Sequence, residues 1–173
     1  MSRRLKIDLS DLELAFENSG FELMYYLDLE SGEVLLVTDE MRSAFEEISE
    51  VAETDGIEFA EALAHSDLPA WEKEAMAQVA AVKERYGTTV IDVPQDESSD
   101  AFHDMQEFAE SVRDPGTQDR LLRALSGGRP FRRFKDAIAA YPQEQERWYA
   151  FRDGRVRQRV LDWLEAEEIE LID

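Results

Sequence analysis

Phe21-Glu22-Leu23-Met24-Tyr25-Tyr26-Leu27-Asp28-Leu29 runs into Glu30-Ser31-Gly32, and Glu33-Val34-Leu35-Leu36-Val37-Thr38 follows. In the first run Phe21, Leu23, Tyr25, Leu27 and Leu29 alternate with Glu22, Met24, Tyr26 and Asp28. A period of two places successive side chains on opposite faces of a strand. The second run is extended and rich in residues that suit a pleated surface. A short interruption containing Gly, here Gly32 supplying a positive φ, joins two such runs as a β-hairpin over 21–38. Both faces of that hairpin are rather apolar, which predicts that it is largely buried. An isolated hairpin is marginal in water, so a third strand or a covering helix is required. Residues 88–93, β-branched and bounded by Pro94, are the candidate third strand.

Outward from the hairpin the periodicity turns helical. On the N-terminal side, Ser10 followed three residues later by Glu13 reads as a capping box for a short helix that carries Leu12, Ala15 and Phe16 and ends near Asn18-Ser19-Gly20. On the other side, Thr38 or Asp39 caps a helix with Met41, Phe45, Ile48 and Val51 on one side, broken by Thr54-Asp55-Gly56. Residues 57–65 suit a short helix, with Phe59, Ala62 and Leu63 apolar. Pro69 then opens a stronger one whose stripe is Trp71, Ala75, Val79, Val82 and Tyr86, with Gly87 as terminator.

Beyond the acidic connector at 94–100, four helices are predicted. Ser99 caps the first, with Phe102, Met105, Phe108, Ala109 and Val112 in one stripe. Asp114-Pro115-Gly116 is a turn, and a helix follows over about 117–126. Pro130 starts the third, with Phe131, Phe134, Ile138 and Tyr141, and Pro142 stops it. The last runs over about 143–167, with a kink expected at Asp153-Gly154. The fold class predicted is α+β: a small antiparallel sheet, made of the hairpin at 21–38 plus a strand near 88–93, with a helical C-terminal half of about four helices. The organisation predicted is an acidic α+β part over 1–97 and a helical part over 98–173, together forming one structural unit.

Several stretches carry a family resemblance. They are Phe131-Arg132-Arg133-Phe134-Lys135-Asp136, Tyr141-Pro142, Arg147-Trp148-Tyr149-Ala150-Phe151-Arg152-Asp153 and Trp163-Leu164. The hairpin, the run Ile91-Asp92-Val93-Pro94, the sequence Met105 to Val112 and Leu121-Leu122-Arg123-Ala124-Leu125 belong to the same pattern. Together they resemble a bacterial family of small acidic proteins of uncharacterised function. The resemblance covers most of 7–167 and is most specific over 99–164; across 40–86 this chain is longer than the pattern. It supports the fold reading and implies no activity, substrate or catalytic residue.

The chain has 173 residues, 40 acids against 19 bases, a net charge of −21 and no cysteine. A chain of that length buries a sizeable core unaided. Disulfides, thiolate catalysis and cysteine-based zinc sites are excluded. With no apolar run of bilayer length and no leader-like N-terminus, the expected location is cytoplasmic, with no membrane partner. The charge is uneven. Residues 1–112 hold 28 acids and 7 bases, 113–159 hold 12 bases and 6 acids, and 160–173 hold 6 acids and no base.

No nucleophile elbow, P-loop or dinucleotide fingerprint occurs. His103 with Asp104 and Glu107 makes a partial metal set on one helix, weighed against a simple polar face. Gly127-Gly128-Arg129-Pro130 reads as a turn, with anion binding at the following helix N-terminus as the alternative. Neither a catalytic set nor a cofactor is expected. The basic block is the candidate site. At 100° per residue, Arg152, Arg155 and Arg159 fall within about 60° of each other beside Trp148 on the last helix. Arg132, Arg133 and Lys135 lie on the helix before it. The competing reading is a set of internal ion pairs, among them Arg132 with Asp136.

The sequence therefore leads to a non-enzymatic interaction or regulatory module whose expected partner is another protein. The alternative is a nucleic-acid or phosphate-ligand binder using residues 129–159, which a net charge of −21 opposes. An enzyme built on carboxylates and arginines ranks third. Oligomeric state is left open.

Overall fold

The α+β architecture comes from eight helices and five strands among the described residues, which in this computed structural model are 2–20, 22–96 and 98–173. The chain divides into two units, one made of 1–95 with 169–173 and the other of 96–168.

In the first unit, β1 (Arg3–Leu5) leads to α1 (Leu9–Asn18) and to the hairpin of β2 (Leu23–Asp28) and β3 (Val34–Thr38). Then come α2 (Asp39–Asp55), α3 (Phe59–His65), α4 (Ala70–Arg85) and β4 (Val90–Asp92). The chain's last residues supply β5 (Ile169–Leu171). The hairpin pairs in register from Leu23 opposite Thr38 to Leu27 opposite Val34. Strand β4 pairs antiparallel with β2, giving the order β3-β2-β4. So the hairpin has the third strand that its marginal stability demands. Phe21, where the expected hairpin begins, lies outside the described residues.

The hairpin loop is fixed by sterics and by charge. Gly32 has φ 79°, and a Cβ there would sit 2.2 Å from the Lys6 carbonyl oxygen, so only glycine fits. Asp28, buried at the end of β2, accepts from the Glu30 and Ser31 amides at 2.8 and 3.4 Å. Its two oxygens also take a guanidinium fork from Arg85 at 2.7 and 3.0 Å. Arg85 donates further to Glu30 at 2.6 Å and to Thr89 at 2.9 Å. One arginine at the end of α4 thus holds the hairpin loop and the approach to β4. The core beneath joins Tyr26, Val37 and Val90 to Met76, Val79 and Val82 of α4 and to Leu63 of α3.

Several expectations are corrected here. Asp8, not Ser10, caps α1, accepting from the Ser10 amide at 2.8 Å. It stands one residue before the helix, where a side-chain oxygen reaches the first-turn amides. Thr38 does cap α2. Val51, Tyr86 and Trp71 are exposed, Trp71 at 69%, although their spacing puts them on apolar stripes. Trp71 sits in the first turn of α4, where the stripe continues without the packing. The third strand is shorter than 88–93, because Thr88 and Thr89 bond back to the Arg85 carbonyl and close a turn. Strands β1 and β5, which pair in parallel from Arg3 opposite Ile169 to Leu5 opposite Leu171, have no counterpart among the elements expected from sequence. Three residues carry no readable period, and their partners lie at opposite ends of the chain.

The second unit is all helix: α5 (Ser98–Ser111), α6 (Pro115–Leu125), α7 (Pro130–Ile138) and α8 (Pro142–Ala166). Helix α5 begins one residue before the expected Ser99 cap. Helix α6 begins at Pro115, not 117, because Asp114 caps it by accepting from the Thr117 amide and hydroxyl. Helix α7 ends at Ile138, leaving Tyr141 outside it, where its hydroxyl accepts from Arg120 at 3.0 Å. Helix α8 runs through Gly154 without interruption, so the expected kink does not divide it. The core gathers Phe108 of α5, Val112 just past its end, Leu121 and Leu125 of α6, Phe134 and Ile138 of α7, and Trp148 of α8. The Trp148 ring meets Phe108 edge-on at 5.4 Å and Phe134 at 5.2 Å, geometries that aromatic quadrupoles favour. No helix among the described residues is long and apolar enough to cross a membrane.

Candidate functional site

Helix α7 is nine residues long, and its composition splits by face. Phe131, Phe134, Lys135 and Ile138 recur at three- and four-residue steps and so share one side. Phe134 and Ile138 are buried, whereas Phe131 at the first turn is 39% exposed. Opposite them on α8 stand Trp148, buried, and Tyr149, 42% exposed. With Met105 of α5 and Arg152 of α8 they line a cleft of about 530 Å³ within the helical unit. Its floor is aromatic and aliphatic. Its charged lining residues, Lys135 and Arg152, are both cations in a chain with twice as many acids as bases.

The six basic residues singled out from sequence have different fates. Arg159 is half-buried and donates to Asp104 at 2.5 Å and to Asp96 at 3.2 Å. Asp104 is itself buried, so this pair is structural. Burial pushes the Asp96 carboxyl above the ordinary range, and the Arg159 charge pulls only partly against it. Arg155 pairs with Glu107 at 2.6 Å and lies 4.9 Å over the Phe151 ring. Arg152 lies 5.3 Å over the Tyr149 ring and pairs with Asp153 at 3.5 Å. The shared phase of these three on α8 therefore does not make them alike, because α5 and the segment before it present carboxylates to two of them.

On α7, Arg132, Arg133 and Lys135 are exposed, and none has an ion pair among the described residues. The expected pair of Arg132 with Asp136 is not among the ion pairs of the described residues. Arg132 lies about 60° round the helix from Lys135, and Arg133 about 160° round. The Arg133 guanidinium rests against Gly127, where a Cβ would stand 1.9 Å from its Nη1. Of the six candidates, the structure brings Lys135 and Arg152 together at one cleft. Phasing alone turns Phe131 and Tyr149 toward the core; they form the cleft's rim instead. Phe131 lies in the first turn of a short helix, and Tyr149 is one residue past the packed Trp148.

Elsewhere the chemistry is sparse. His103 is exposed, while Asp104 and Glu107 are taken by Arg159 and Arg155. Among the described residues no group of three histidines or acids is placed to hold a metal ion. A smaller cleft of about 420 Å³ in the first unit is lined by Tyr26, Lys83, Tyr86 and Asp92. There the Tyr86 hydroxyl donates to Asp92, an interaction that keeps the phenol protonated by raising its pKa.

Comparison with known proteins adds a family. A model described as "Uncharacterised protein family (UPF0158)" matches residues 72–173. A UPF0158 protein of Pseudomonas aeruginosa is 27% identical over 168 residues, covering 97% of this chain and 87% of the relative. No solved structure matches the chain.

Proposed function

The chain belongs to the uncharacterised protein family UPF0158, a membership that assigns no chemistry, and we propose that it is a non-enzymatic interaction module that binds an acidic partner protein through the exposed cations of α7. The observation that carries this reading is the contrast between two neighbouring helices. The arginines of α8 at 155 and 159 are neutralised inside the unit, whereas Arg132, Arg133 and Lys135 are exposed and have no ion pair among the described residues, in a chain of net charge −21. Free cations in so acidic a molecule are suited to steering a complementary partner. A long polyanion such as nucleic acid would meet repulsion from the rest of the surface as soon as it left this helix.

The test is co-purification from a lysate of the source organism, followed by mass spectrometry, with wild-type chain and with Arg132→Glu/Lys135→Glu. Both substitutions are at exposed positions and should leave the circular dichroism spectrum unchanged. The wild type should retain a defined acidic protein whose capture weakens as salt is raised, and the variant should lose it. Equal capture by the variant, or capture abolished by ribonuclease, would refute the proposal.

A further inference from the structure

Building on that reading, we infer that the partner presents an aromatic or long aliphatic side chain flanked by carboxylates, seated in the cleft between α5, α7 and α8. The cleft's size, about 530 Å³, falls in the range of about 300–1,000 Å³ typical of ligand pockets. Its floor of Phe134, Ile138 and Trp148 is predominantly apolar and suits burial of an apolar anchor side chain. Its edges are half-open aromatics, Phe131 and Tyr149, which shield a seated anchor from solvent in the way that surrounds a binding hot spot. Charge selects what surrounds the anchor. Lys135 lines the cleft with no ion pair among the described residues, and no carboxylate among them lines the cleft. A purely apolar segment would leave that ammonium uncompensated beside a dry contact, and a bare phosphate would leave the floor exposed. An acidic segment with one apolar anchor satisfies both.

Two short synthetic peptides of equal negative charge test this, one of aspartates and glutamates around a central phenylalanine, the other with serine in its place. Binding is followed on the intact wild-type chain by methyl NMR of Met105 and Ile138, which line the cleft. The phenylalanine peptide should bind roughly tenfold or more tighter than the serine peptide, as burying an aromatic side chain entails. It should move both methyl signals, and Lys135→Glu should remove the effect. If both peptides bind equally, salt-sensitively and without moving those methyls, the cleft is not the seat, while the proposal for the α7 cations stands. If neither binds while inorganic phosphate does, or while the chain associates with itself through this face, both readings fall.

Discussion

Asp28 is buried, yet it is placed to stay ionised. Burial raises its pKa, but the Arg85 fork and the amides of Glu30 and Ser31 outweigh that and hold it below the usual carboxylate range. A folded-state pKa below the unfolded one contributes stability above the ordinary carboxylate value of about 4, lost as pH falls through the folded value. Asp28→Asn keeps an acceptor for the turn amides and gives up the ion pair. It should cost about 1–3 kcal/mol at neutral pH, less than breaking a fully buried pair because Arg85 is partly solvated. Urea midpoints taken from pH 7 down to about 3 should converge for wild type and variant. Parallel curves would mean that Asp28 is not the group responsible. Asp96 works in the opposite sense, since its raised pKa favours the folded state at low pH and that contribution fades as pH rises through the folded value. Both assignments rest on tertiary structure: Asp28 is lowered by Arg85, far away in sequence, and Asp96 is raised by burial, which Arg159 only partly opposes. Local spacing has no access to either.

Helix α8 shows how an element overrides a local signal. Glycine in a helix interior costs roughly 0.8–1.0 kcal/mol relative to alanine, which is why Asp153-Gly154 reads as a break. The helix continues because Trp148, Val156, Val160 and Leu164 are all buried along it, and their packing outweighs one poor residue. Gly154 has open space beside it, and a Cβ added there would meet nothing within 4 Å. Gly154→Ala should therefore raise stability by about 0.5–1 kcal/mol in urea titration, through a lower unfolded-state entropy and a better helix former. A loss of stability would reveal a bend that the position needs. Helix α7 teaches the converse. Its face is legible from three- and four-residue steps, but a nine-residue helix leaves Phe131 at a terminus, where the same phase no longer guarantees burial.

At the scale of the whole molecule, charge divides along the two units. Residues 1–95 with 169–173 carry 24 acids and 7 bases, whereas 96–168 carry 16 acids and 12 bases. Self-repulsion therefore falls mainly on the first unit. Raising salt from about 0.01 M to about 0.15 M shortens the screening length from roughly 30 Å to roughly 8 Å. Amide hydrogen exchange should slow in the strands and helices of the first unit and change little in α5 to α8. Uniform slowing across the chain, or faster exchange in the first unit, would show that its acids are already compensated.

The alternation of 21–38 and the helical spacing of 99–164 were enough to establish an α+β chain with a small antiparallel sheet and four C-terminal helices. These signals are local: each needs only neighbours within one strand or two helical turns to be read. The family resemblance was legible for the same reason, being carried by contiguous runs. Tertiary structure alone decided the pairing of Arg3–Leu5 with Ile169–Leu171, since three-residue strands have no period and their partners are joined only by folding. It alone decided which arginines are structural. Arg152, Arg155 and Arg159 share a phase, but that Arg159 finds Asp104 and Arg155 finds Glu107 depends on which helix packs across from them. The cleft at Lys135 and Arg152 arises in the same way, from three helices meeting, because a concave surface is a property of packed elements and not of any one of them.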